Sequence, residues 1–246
     1  MKINQYLEST YLKTAKQANL SDQADIQIVK SLVEEAISND FKVVMIRPKH
    51  VLLANELVNK AKSKVLIGTV IDFPKGKGGL EKKLSQAKQA IIDGADELDF
   101  VVDYKAFKKK NISIIKEEIF TCTNFCIQQN KTSKWIIETA ALNNKQIIQL
   151  SALIKNVIIS NFKEENFNNI YVKSSTGFFK TKNIEPNGAT LESIIMMLEN
   201  ASPLPIKASG GIKNFADANN FIKLGVKRIG TSSAKIIADE SQVILK

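Results

Sequence analysis

IIDGADELDFVVD, residues 91–103, shows in one stretch how the chain is built. An apolar helical run reaches Gly94, the chain turns, and a short strand rich in Leu, Phe and Val follows at once. Glycine suits this place because helices commonly end on a residue with positive φ, which glycine adopts without strain. FIKLGVKRIG, residues 221–230, repeats the pattern at Gly225. Working outward, short β-branched runs recur: KVVMI at 42–46, KVLIGTVI at 64–71, ELDFVV at 97–102 and KWIIE at 134–138. IYVKSS at 170–175, PIKAS at 205–209 and KRIGTS at 227–232 continue the series, and YLEST at 6–10 is a shorter candidate for its first member. These runs are mostly apolar, which suits strands covered on both faces.

Amphipathic segments lie between the runs. Residues 22–39 carry Ile26, Val29, Val33 and Ile37 at helical spacing, and residues 80–93 carry Leu80, Leu84, Ala87 and Ile91. Ile112, Ile115, Ile119 and Phe120 mark a helix running to about residue 130, and Ile147, Leu150, Ile154 and Ile158 mark the next. Shorter helices are expected at 190–199, 214–224 and 234–240. Strand starts fall roughly 22 to 38 residues apart, which is the step of a βαβ unit. Eight such units predict a (β/α)8 barrel, an α/β fold, as one domain over residues 1–246. The glycine-rich turn of an open dinucleotide-binding sheet does not follow the first strand.

Composition narrows the function classes. Apolar residues are 44% and charged residues 24%, which excludes a largely disordered chain. No run of 18 apolar residues occurs, so a membrane-spanning helix is not expected. Asn4, Gln5, Glu8 and Ser9 interrupt the N-terminus, which does not read as a signal peptide. Cys122 and Cys126 sit four apart in a predicted helix and read as reduced thiols of a cytoplasmic protein. The net charge of +10 comes almost wholly from lysine, since Arg47 and Arg228 are the only arginines. Arginine is the usual reader of base edges, so solvated lysine faces are expected and no nucleic-acid partner. A positive surface remains compatible with an anionic small substrate.

Active groups of a barrel sit at the C-terminal ends of its strands. Asp99 in ELDFVVD, Lys173 in IYVKSSTGF and Lys207 in PIKASGG place charge where a strand should be apolar. A satisfied ion-pair triad is one reading. Two lysines and an aspartate at one mouth also suit chemistry, because repulsion and desolvation both favour one neutral amine. A neutral lysine amine attacks carbonyls and forms a Schiff base, and the aspartate can move protons. This needs no metal or cofactor, and His50, the single histidine, is expected at a surface or helix cap. Glycine turns in SSTGF at 174–178, SGG at 209–211 and IGTSS at 229–233 can hold a phosphate on backbone N–H groups. Asp72 in IDFPKGKGG is equally open to a catalytic or a loop role, Glu138 could join the polar network, and Trp135 is expected to pack.

TVIDFP at 69–74, GADELD at 94–99, IIET at 136–139, VKSSTGF at 172–178, KASGGI at 207–212 and RIGTSSA at 228–234 together resemble the deoxyribose-phosphate aldolase family over about residues 7–235. The resemblance implies reversible class I cleavage of 2-deoxy-D-ribose 5-phosphate to D-glyceraldehyde 3-phosphate and acetaldehyde. By motif, it implies Lys173 as the Schiff-base lysine, Lys207 as the neighbour that lowers its pKa, and Asp99 as the acid/base partner. It implies Gly210, Gly211, Ser232 and Ser233 as the phosphate cradle, with Thr10, Thr176 and Gly177 beside the substrate, and a homodimer as the assembly. The alternatives are another class I phospho-sugar aldolase or a sugar-phosphate-binding barrel without catalysis.

Departures from the family pattern are local. The early Asp-His-Thr motif reads Glu8, Ser9, Thr10, leaving Thr10 as its remnant and weakening a role for the pair before it. Arg47 precedes Pro48 where the family usually has Asn, and Asp72 replaces a usual Gly. The segment 159–169, with Phe162 and Phe167, looks longer than usual. Some members end in a tyrosine thought to assist proton transfer, whereas this chain ends in Leu245 and Lys246, so enamine protonation is expected to rely on water or to be slower. The tail 241–246 is expected to cover the mouth or fray.

Overall fold

Every β-branched run becomes a strand in the computed structural model, which describes residues 2–181 and 187–244. The strands are β1 (Leu7–Tyr11), β2 (Val43–Ile46), β3 (Leu66–Ile71), β4 (Glu97–Val101), β5 (Thr132–Ile136), β6 (Ile170–Lys173), β7 (Ile206–Ser209) and β8 (Arg228–Thr231). They lie parallel in sequence order, and β1 pairs with β8 to close a barrel. YLEST therefore supplies the first strand, and its pairing with both β2 and β8 makes it the closing stave.

Around the barrel run α1 (Ala15–Ala18), α2 (Asp22–Ser38), α3 (Val51–Lys60), α4 (Gly79–Ile92), α5 (Tyr104–Lys108), α6 (Ile112–Gln128), α7 (Asn144–Asn161), α8 (Leu191–Ala201), α9 (Phe215–Leu224) and α10 (Ala234–Ile244). Polar caps set several starts: Ser21, Asn143 and Thr190 each accept a backbone N–H of the first turn. Gly225 ends α9 at φ +112°. The expected helices all form, and α1, α3 and α5 join them. The segment 159–169 holds the end of α7 and a 3-10 turn, Glu164–Asn169, and Phe162 stacks on Phe120 at 5.7 Å. The tail continues α10 as far as Ile244, while Leu245 and Lys246 lie outside the described residues.

The outer core lies between barrel and helices. Val44, Ile46, Leu98, Phe100 and Val172 face Val29, Val33, Ile119, Leu150 and Ile194 there, all fully buried. Trp135 is buried, stacks on Phe100 at 5.0 Å and donates its indole N–H to Thr123 Oγ1 at 2.9 Å. Inside the barrel, β2 and β3 contribute a separate apolar cluster of Val43, Met45 and Val70 under Leu12. The other six strands each add charge to the lining.

Candidate active site

Side chains two apart on a strand share a face, so Glu97 and Asp99 of β4 point together into the barrel. The register then aligns their partners: Asp99 lies opposite Lys134, Lys173 opposite Lys207, and Lys207 opposite Arg228. Three cations thus stand side by side across β6, β7 and β8, an arrangement that is unfavourable without carboxylates between them. Asp99 supplies the first. Its Oδ2 accepts from Lys173 Nζ and Lys207 Nζ, each at 2.7 Å, and its Oδ1 accepts from Lys134 Nζ at 2.8 Å. Lys134 also pairs with Glu97 at 2.6 Å and Glu8 at 3.6 Å. Lys207 donates to Glu8 as well, and Arg228 reaches Glu97 at 3.2 Å and Glu8 at 3.5 Å. Gly230 leaves room for this packing, since a Cβ there would sit 3.1 Å from Lys207 Cε.

Three carboxylates face four cations in this network, all of them almost or wholly removed from water apart from the edge of Arg228. The cations are not equivalent. Among the described residues, Lys134 has three carboxylate partners, Lys207 and Arg228 have two each, and Lys173 has one. Burial disfavours each charged form, and the partners decide what survives. Burial pushes Lys134 down, but Asp99, Glu8 and Glu97 outweigh it and hold its ammonium above the usual lysine range. Arg228 is likewise raised, by Glu97 and Glu8 against burial. For Lys173, burial pushes the amine down, Asp99 and then Glu8 pull back, and Lys207 pushes down again, leaving it at about 8. Asp99 resists its own burial because Lys134, Lys173 and Lys207 hold it well below the usual carboxylate range. The depressed amine expected from two neighbouring lysines is present, with desolvation ahead of repulsion as its cause.

Lys173 alone of these four cations lines the cavity at the C-terminal mouth, a volume of about 510 Å³. Thr10, Thr176, Gly177, Gly210, Gly211 and Ser232 line the same cavity. The turn glycines have φ of +77°, +87° and +79° at Gly177, Gly210 and Gly211, the region where a side chain is strained. Ser233 does not line the cavity, and its N–H donates to Thr231 Oγ1 at 2.9 Å instead. Lys13 and Lys213, on the loops after β1 and β7, add two exposed ammonium groups to the rim. Ser209 Oγ donates to the Ser175 carbonyl at 2.7 Å and the Ser209 N–H to Ser174 Oγ at 3.0 Å, which fastens the ends of β6 and β7 together.

Several residues fall elsewhere than the sequence suggests. Glu8 belongs to the ion network, so the altered early motif keeps an acidic contribution there. His50 is buried rather than superficial, 3.1 Å from Asp25, which also accepts from Tyr11 and Lys49. Asp72 takes the loop role. At φ +53° it accepts from the Gly78 N–H at 2.6 Å and Lys83 Nζ at 3.0 Å. The positive φ explains why glycine is at home there in the family. Arg47 donates to the Leu12 carbonyl at 2.7 Å and lies over Phe73, which edges onto Phe178 at the cavity wall. Glu97, Lys134 and Arg228 escape a reading of strand interiors because each stands at or beside the start of its apolar run. The available signal was the repeat of charge at inward positions. Cys122 and Cys126 are free and buried, and burial pushes the Cys122 thiol up to about 12. Among the described residues, no group of three or more His, Cys, Asp or Glu is placed to hold a metal, and no helix is long and apolar enough to cross a membrane.

Fold and site define a barrel enzyme of the class I aldolase type, a carbon–carbon lyase that works through a lysine Schiff base. Residues 13–228 match the DeoC/LacD family aldolase profile, and the chain belongs to that family. It is 36% identical over 231 residues to the deoxyribose-phosphate aldolase of Metamycoplasma arthritidis, covering 94% of this chain and 97% of that one. It is 34% identical over 238 residues to the deoxyribose-phosphate aldolase of Streptococcus gordonii, covering 96% of each. Among solved structures, an aldolase called QR15 superposes over the whole of both chains with a TM-score of 0.80 and 30% identity. The deoxyribose phosphate aldolase of Aeropyrum pernix, described as a unique tetramer, superposes with a TM-score of 0.77 and 26% identity over 97% of this chain and 90% of that one.

Proposed function

We propose that this aldolase reversibly cleaves 2-deoxy-D-ribose 5-phosphate to D-glyceraldehyde 3-phosphate and acetaldehyde, with Lys173 as the nucleophile. The observation that carries the reading is the single carboxylate partner of Lys173, which leaves its amine at about 8 in the cavity floor. A useful fraction of such an amine is neutral near pH 7. It adds to C1 of the open-chain aldehyde, and loss of water from the carbinolamine gives an iminium. Asp99, bonded to both lysines, is positioned to pass the protons of these steps between them. The C2–C3 bond then breaks. Its electron pair moves into the iminium to give an enamine, and the C3 hydroxyl loses its proton as the phosphorylated aldehyde leaves.

Phosphate selectivity follows from the far wall of the cavity. Gly210, Gly211 and Ser232 offer backbone at the two turns, and Lys13 and Lys213 supply charge. The relatives that carry the deoxyribose-phosphate aldolase name support the same substrate. Incubation with acetaldehyde and borohydride, followed by peptide mapping, is expected to place an ethyl group on Lys173. Labelling by a ketone donor but not by acetaldehyde would assign another class I aldolase activity. Binding of the sugar phosphate with no reducible adduct would remove catalysis altogether. Pairing into a homodimer belongs to the same reading, and sedimentation velocity tests it.

A further inference from the structure

Seven acidic side chains are buried among the described residues: Glu8, Asp25, Asp72, Glu97, Asp99, Glu118 and Glu138. Six have a cation within 4 Å. Glu8, Glu97 and Asp99 share the four cations of the barrel floor. Asp25 has Lys49, and Asp72 and Glu118 share Lys83. Glu138 has none. Its hydrogen-bond partners are the Thr176 hydroxyl, in a very short contact with Oε2, and the Thr176 N–H, 3.3 Å from Oε1. A buried carboxyl without a counter-ion is normally replaced or neutralised. This one also sits at φ +58°, a strained conformation for a glutamate. Both features lie just beyond β5, beside the strand that carries Lys173.

Thr176 connects this carboxyl to the reaction chamber. It lines the cavity with Lys173, three residues away, and its hydroxyl accepts from the Phe178 N–H at 3.0 Å. The hydroxyl is thus held between a fixed donor and Glu138. We infer that Glu138 stores the proton exchanged with the substrate carbon, passing it through the Thr176 hydroxyl.

In the protonation direction, the Thr176 proton goes to C2 of the enamine, whose electron pair forms the C–H bond and restores the iminium. Thr176 is refilled from Glu138, which becomes a carboxylate. In reverse, C2–H breaks toward the Thr176 oxygen while Thr176 gives its own proton to the Glu138 carboxylate. No other reactant is required. Thr176 is the group that meets the substrate, and Glu138 is a positioning residue that acts through it. The carboxyl lies at about 7, pushed up by burial and pulled back by Thr176 and Lys173, so both of its forms are populated at neutral pH. The titratable groups facing it are Lys173 on β6 and Tyr104 on α5. The inference rests on Lys173 forming the Schiff base proposed above.

The test is exchange of the methyl hydrogens of acetaldehyde with deuterium oxide, followed by NMR. Acetaldehyde is kept high enough to hold Lys173 as its imine, so the titration of the amine drops out. The wild-type exchange rate is expected to rise with pH through about 7. Glu138→Gln is expected to slow exchange by about a hundredfold and to abolish that rise, while borohydride still yields an adduct on Lys173. Thr176→Val is expected to behave like Glu138→Gln, and Thr176→Ser to recover most of the rate. Wild-type rate and pH dependence in Glu138→Gln would overturn the inference. So would a slowed exchange with its pH rise unmoved, the mark of a merely structural role. If Glu138→Gln does not fold, equal rates in Thr176→Val and Thr176→Ser overturn it instead. Absence of any adduct in the wild type would instead refute the Schiff-base reading beneath it.

Discussion

Lys173 differs from its neighbours by what it lacks. Lys134 and Lys207 are as deeply buried, yet each has more carboxylates around it. Removing Lys207 should therefore act on Lys173 through charge. In Lys207→Leu, the repulsion disappears and Asp99 is left to pair with Lys173 and Lys134 alone. The amine rises, and the pH–rate profile moves to higher pH, with kcat/KM at pH 7 falling about tenfold for each unit moved. An unmoved profile would take this role from Lys207. Glu138 makes a second residue-scale prediction, this time for stability. Burial raises its carboxyl from 4.5 to about 7, so the fold favours the protonated form. That contribution is present below about pH 4.5 and is lost as pH rises through 7, about 3 kcal/mol in all. Between pH 5 and pH 8 the wild type should lose stability relative to Glu138→Gln, read as the difference between their urea midpoints. Lys173, Asp99 and Lys207 were legible in the sequence because each interrupts an apolar run from inside. Glu8 and Arg228 sit near strand starts and Lys134 opens the apolar run of its strand, places where charge is ordinary, and only the register turns them inward.

The loop from β3 to α4 shows the same logic at the scale of an element. Lys83 is fully buried and ties three pieces together: Asp72 at 3.0 Å, the Gly76 carbonyl at 2.7 Å and Glu118 of α6 at 3.1 Å. The fastened loop carries Phe73, whose ring meets Phe178 at the cavity wall, 5.1 Å between centroids. Lys83→Met would leave two carboxylates underpaired. It should destabilise the protein by about 3–5 kcal/mol, read from the urea midpoint. Breaking the tether from its other end, Asp72→Ala should be milder, because Lys83 keeps Glu118. The sequence reading placed the strands and long helices because their periodicity spans several turns. Three helices were not legible: α1 and α5, which are four and five residues long and carry no readable period, and the ten-residue α3. Nor was the clamp legible, since Lys83 reads as one more surface lysine of an amphipathic helix.

At the scale of the molecule, the barrel lining is divided. Strands β2 and β3 face inward with Val43, Met45 and Val70, while β1 and β4 to β8 supply the charges. Trp135 stands in the charged part of the wall, stacked on β4 and hydrogen bonded to α6, so its fluorescence reports that part. Proteins of this length commonly unfold through intermediates. Here the urea transition followed by Trp135 fluorescence should coincide with that followed by far-ultraviolet circular dichroism. A fluorescence change that clearly precedes the other would show the charged part of the wall opening by itself.

The reason lies in the stave that closes the barrel. Glu8 comes from the first strand and meets Lys207 and Arg228 from the last two, so residues some two hundred positions apart in the chain neutralise each other. A barrel missing that stave would strand ammonium and guanidinium groups in a dry interior with too few counter-ions. Partly shut forms are thereby penalised, and the same charges that prepare one amine for chemistry act as a latch, making closure an all-or-none event.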